Sequence, residues 1–100
     1  MDPERISSFN ISDVVISMAG HDKGNLFYVI GVEDAYVILA NGKDRPLDRP
    51  KRKKCKHVQK VLRAETRVAE KLRHGDKVLN SELRRDLAFH AKDASDNLGG

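Results

Sequence analysis

Between Asp13 and Ala40 the chain places three apolar segments with very little room between them. "DVVISM" (Asp13–Met18), "LFYVIGV" (Leu26–Val32) and "AYVILA" (Ala35–Ala40) are rich in β-branched residues and of strand length. In the first, Val14, Ile16 and Met18 share one side and Val15 and Ser17 the other. The second and third are apolar on both sides, so both of their faces need cover. Glu33–Asp34 is a link of hairpin length, and Asn41–Gly42 is a strong turn dipeptide. Strands this close, joined by turns this tight, predict an antiparallel meander that curls into a small barrel.

The loop between the first two strands, "AGHDKG", has a glycine near each end. Gly20 and Gly24 let the backbone turn sharply at positive φ. They either build the turn and nothing more, or also let backbone N–H groups approach a phosphate, with His21 and Lys23 as side-chain contacts.

Charge is concentrated in one block. Residues 1–42 hold two basic and six acidic side chains, residues 43–63 ten basic and two acidic, and residues 64–100 seven of each. The overall charge of +4 therefore comes from about twenty central residues. Within them, Lys51, Arg52, Lys53, Lys54 and Lys56 set five cations in six positions, preceded by Arg49. Such density repels itself unless a polyanion neutralises it, and counter-ion release then supplies affinity. Pro46 and Pro50 keep this region extended and non-helical. It reads as a basic loop, with Leu47 in a short fourth strand and "CKHVQKV" (Cys55–Val61) as a fifth.

From Val61 the apolar period becomes helical. Val61, Val68 and Leu72, with Ala64 and Ala69, predict one amphipathic helix stopped by Gly75. Asn80 or Ser81 caps a second, with Leu83, Leu87 and Ala91 as its apolar stripe. These helices either cap the barrel or dock a protein partner through Leu83, Leu87 and Phe89. The expected organisation is a flexible arm over 1–10, the barrel over 11–61, a helical extension over 62–92 and a flexible tail over 93–100.

Catalysis finds no constellation. His21, His57, His74 and His90 are scattered, and no Walker or dinucleotide pattern occurs. The single Cys55 has no partner for a disulfide or a zinc site, so no metal and no cofactor is expected. The start of the chain lacks a signal-type apolar core, and no run approaches the ~20 residues of a membrane span. A cytoplasmic protein without a membrane partner is expected. With only five aromatics, contact with the backbone and shape of a polyanion is a better expectation than base reading. Neighbours alternate, so Phe27 or Tyr28 must face away from the barrel interior.

The segment resembles the KOW motif of ribosomal proteins and transcription elongation factors. Asp13–Val14–Val15, Gly20, the Lys23–Gly24 pair and the strand ending at Gly31–Val32 carry the likeness. Asn25 stands where the family often has a basic residue. Tyr36–Gln59 is similar to the continuation seen in bacterial KOW-domain RNA-binding proteins, themselves similar to the fourteen-e type of large-subunit ribosomal protein. The likeness covers Ser12 to Val61. It implies a mainly β fold with α, in which a five-stranded SH3-like barrel precedes two helices. It also implies non-catalytic RNA binding on the ribosome, with ribosomal RNA and ribosomal proteins as partners. Lys51, Arg52, Lys53, Lys54, Lys56 and Arg49 would hold the RNA backbone, Lys23 and His21 would add a second contact, and Gly20 and Gly24 would shape it. The alternative is a protein-interaction module of the translation or transcription machinery.

Overall fold

The computed structural model describes residues 9–99. Most of the expected arm, residues 1–8, and the final Gly100 lie outside the described residues. Five strands form one antiparallel sheet: β1 (Asp13–Ser17), β2 (Leu26–Glu33), β3 (Tyr36–Ala40), β4 (Lys51–Lys54) and β5 (Val58–Arg63). Two helices follow, α1 (Arg67–His74) and α2 (Asn80–Gly99). The order across the sheet is β4-β3-β2-β1-β5. The three meander strands lie where the sequence placed them, with Gly20 at φ +84°, Gly24 at +91° and Asp34 at +49° in the turns.

The fourth and fifth strands differ from expectation. Leu47 is not in a strand: its N–H donates to Asn80 Oδ1, 2.8 Å away, on α2. The fourth strand is the cationic run itself, paired with β3 as Tyr36↔Lys54, Val37↔Lys53, Ile38↔Arg52 and Leu39↔Lys51. Charge alone does not forbid a strand; alternate lysines can point to opposite faces and find different partners. Cys55–His57 forms a single 3-10 turn, and β5 then runs on to Arg63. Val61 thus belongs to the sheet, and α1 begins only after the Thr66 cap, whose hydroxyl accepts from Ala69 N–H. Gly75, at φ +74°, ends α1 as expected.

The connection between β4 and β5 shows that the sheet is curled. These strands are opposite edges, four spacings apart, or roughly 19 Å in a flat sheet. A 3-10 turn of three residues, rising about 2 Å per residue, joins them. Only a strongly bent sheet allows that. No ladder pairs β4 with β5, so the hydrogen-bonded sheet stays open rather than closing through its fifth strand.

Each face buries its own cluster. The inner face holds Val15, Phe27, Val29, Val37, Leu39 and Val58, with Phe9 packed against them. Phe9 and Asn10 are therefore part of the fold rather than of an arm, and Asn10 N–H donates to Asp13 Oδ2. The outer face holds Val14, Tyr28 and Ala40, covered by Ala64, Val68, Ala69, Leu83 and Leu87 of the helical half. Tyr28 is the outward-facing aromatic, and it is wholly buried.

Helix α2 departs from prediction in two ways. It runs to Gly99 instead of giving way to a tail at 93, since each further residue adds a backbone hydrogen bond to an existing helix. Its start is held by Glu82, which accepts from Leu79 N–H at 2.9 Å, while the Asn80 side chain serves Leu47. Gly42 backs onto this start. A Cβ there would lie 2.4 Å from Asn80 O, at a φ of +76°. Gly42→Ala is therefore expected to destabilise the fold by more than about 1 kcal/mol in urea unfolding; an unchanged midpoint would contradict this packing.

Candidate nucleic-acid interface

The pleat of β4 sorts the cationic run into two sets. Lys51 and Lys53 stand opposite Leu39 and Val37 and point to the inner face, while Arg52 and Lys54 stand opposite Ile38 and Tyr36 and point outward. The inner pair meets the β1–β2 loop. Lys53, only 7% exposed, donates from Nζ to Asp22 Oδ1 and to Ala19 O, both at 2.8 Å. Ser17 Oγ donates to the same Asp22 oxygen at 2.8 Å. Asp22 Oδ2 makes no hydrogen bond and faces Lys51 Nζ at 3.8 Å. Lys53 is thus a staple between the edge strand and the loop, not a free phosphate ligand.

The same loop spends three of its N–H groups on itself. Lys23 N–H donates to Gly20 O, Gly24 N–H to Ser17 O and Asn25 N–H to Asp22 O. These three N–H groups are therefore closed to a phosphate, and of the two readings of the loop Gly20 and Gly24, both at positive φ, serve the turn. His21 and Lys23 remain as exposed side chains.

On the outer side, Arg52 Nε donates to Glu33 Oε1 at 2.9 Å. Its guanidinium carbon lies 3.6 Å from the centre of the Tyr36 ring. Lys54 and Lys56 are exposed, as is Arg49. Among the described residues no ion pair involves Lys23, Arg49, Lys54 or Lys56. The predicted site thus comes together around one strand and one loop, but three of its cations are already engaged by acids. Those acids, Asp22 and Glu33, and the ring of Tyr36 are the residues that cation counting missed. Reading "KRKK" with a period of two would have separated the two sets.

A second polar cluster lies under α2. The Tyr28 hydroxyl donates to Asp86 Oδ2, Thr66 Oγ1 donates to the same oxygen at 2.8 Å, and His90 Nε2 lies 3.0 Å from the Tyr28 hydroxyl. Burial, then the hydrogen bond to the Asp86 carboxylate, push the Tyr28 phenol far above its ordinary range. This cluster explains why His90, and not the expected Ala91, continues the buried stripe after Leu83 and Leu87. Ala91 is exposed, while His90 turns inward to a hydrogen-bonding partner.

No helix among the described residues is long and apolar enough to cross a membrane. Comparison with protein-family models gives no match, and comparison with curated proteins gives none either.

Burial alone would raise the Asp22 carboxyl, but hydrogen bonds from Lys53 and Ser17 and the charges of Lys53 and Lys51 outweigh it and leave it below 3.8. A carboxyl depressed in the fold contributes stability above its unfolded pKa, and that stability is lost as pH falls through the folded value. Asp22→Asn should therefore flatten the acid limb of the stability–pH curve below about pH 4. Lys53→Ala, which strands a buried carboxylate, should cost about 3 kcal/mol, and combining it with Asp22→Asn should recover part of that loss. Strict additivity in urea unfolding would contradict the coupling.

Proposed function

We propose that this chain is a non-catalytic RNA-binding protein of the cytoplasm, built on an SH3-like barrel of KOW type and associated with ribosomal RNA. The observation that carries this reading is a set of exposed cations on and beside the edge strand β4, Arg49, Lys54 and Lys56, with no ion pair among the described residues, and Lys23 on the loop that Asp22 ties to that strand. The curled five-stranded sheet and the order of its strands agree with a small barrel. Electrostatic attraction to a phosphate backbone is what such an edge offers, without sequence preference. Ribosomal proteins are natural neighbours on a ribosomal surface.

The competing reading, a protein-interaction module, drew on the barrel and on the apolar stripe of α2, and two residues of that stripe are taken up by the core. Leu83 is fully buried and Leu87 is 6% exposed, both spent on the core beneath α2. Phe89 alone of that set remains outside, at 62% exposure.

The pairing of Lys51, Arg52 and Lys53 makes the proposal quantitative. A single strand loses about 0.7 in log affinity per log salt for each phosphate neutralised. Four free cations give a slope of about −3, whereas seven engaged cations would give about −5. Lys54→Glu with Lys56→Glu should weaken RNA binding more than tenfold without moving the thermal midpoint. Lys53→Glu should instead unfold the protein. A slope near −5, or intact binding in the double variant, would contradict this assignment. Co-sedimentation with ribosomal particles at low salt, lost at high salt, is the expected behaviour in lysate.

A further inference from the structure

Arg52 is the one outward cation of β4 that an acid already neutralises. Its Nε bonds Glu33 Oε1 at 2.9 Å, so it adds little net attraction for a phosphate. Its flat face is a different matter. The guanidinium lies over the Tyr36 ring at 3.6 Å, a stacking separation, and Arg52 and Glu33 side chains are both 56% exposed. One side of the plane is therefore backed by an aromatic ring and its edge is tethered by a carboxylate, while the side chain stays open to solvent. Guanidinium planes and aromatic rings are the groups on which unpaired bases stack. Holding the plane in place before binding removes the ordering cost that a free arginine would meet.

The surroundings fit such a guest. Lys54 stands directly opposite Tyr36 on the paired strand, and Lys56 follows two residues after the strand ends. Both are exposed and without ion pairs among the described residues. They supply charge for the phosphates flanking a base that sits on the plate. Among the described residues the helical half packs over Val14, Tyr28 and Ala40.

We infer that Arg52, laid over Tyr36 and held by Glu33, is a stacking plate for an unpaired base of single-stranded RNA. This rests on the RNA-binding reading and adds a base contact to it. A lysine at this position would keep the charge and lose the plane, so Arg52→Lys separates stacking from electrostatics.

The test uses the full chain and two probes: a short single-stranded oligoadenylate, and an abasic ribose-phosphate oligomer of the same length. The wild-type protein should prefer the base-bearing probe about tenfold. In Arg52→Lys that preference should collapse while affinity for the abasic probe stays within about twofold. In the wild-type protein, titration with oligoadenylate should also shift the Arg52 Nε–H resonance upfield through the ring current of the stacked base. The abasic probe should leave it in place, and this readout depends on no variant. Equal binding of both probes by the wild type, a preference that survives in Arg52→Lys, or an unshifted Nε–H would overturn the plate while leaving backbone binding standing. Binding of neither probe would overturn the RNA reading itself, and the plate with it.

Discussion

The hydrogen-bonded ion pair between Lys53 Nζ and Asp22 Oδ1 joins the edge strand of the sheet to the loop between β1 and β2. Both groups are largely withdrawn from water, so each is tolerable only because the other is present. With Ala19 O and Ser17 Oγ as further partners, the pair is a small polar network rather than a lone contact. It ties edge strand β4 to the β1–β2 loop in a sheet whose edge strands, β4 and β5, are not paired with each other. The shape of the loop, the position of β4 and the curl of the sheet all meet at this point.

That staple changes how the positive charge is understood. Five cations in six residues look like a single electrostatic unit, yet the strand pleat divides them. Lys51 and Lys53 turn in toward Asp22, Arg52 turns out to Glu33 and Tyr36, and Lys54 and Lys56 face solvent. One stretch of chain therefore holds the sheet in its curl, orders an exposed guanidinium and presents free charge, each through a different face or end.

The outer face follows a separate logic. A sheet that is apolar on both sides needs a second layer, and the helical half provides it through Leu83, Leu87, Val68 and Ala69. The Tyr28 hydroxyl would be an orphan under that layer without Asp86, Thr66 and His90 around it. The polar cluster ties β2, the cap of α1 and the body of α2 together, and gives the helices a definite seat rather than a greasy one. An open recess of about 540 Å³ near Ile11 is lined in part by Arg63 and Arg73, but both guanidiniums already bond Glu65.

Much was legible in the sequence because it depended on local chemistry. Alternating and β-branched runs gave β1, β2 and β3; positive-φ glycines marked the first loop; Gly75 marked the end of α1. Phe27 and Tyr28, as neighbours in a strand, had to face opposite sides. What stayed hidden was which polar side chains far apart in the chain would pair. Asp22 selects Lys53 across 31 positions and Tyr28 draws in His90 across 62, and no periodicity encodes such pairings. The chain by itself therefore determined the three meander strands and how much positive charge the central block carried. The tertiary structure alone decided which of those charges remain free, because burial and the nearest carboxylate are set only when distant segments meet.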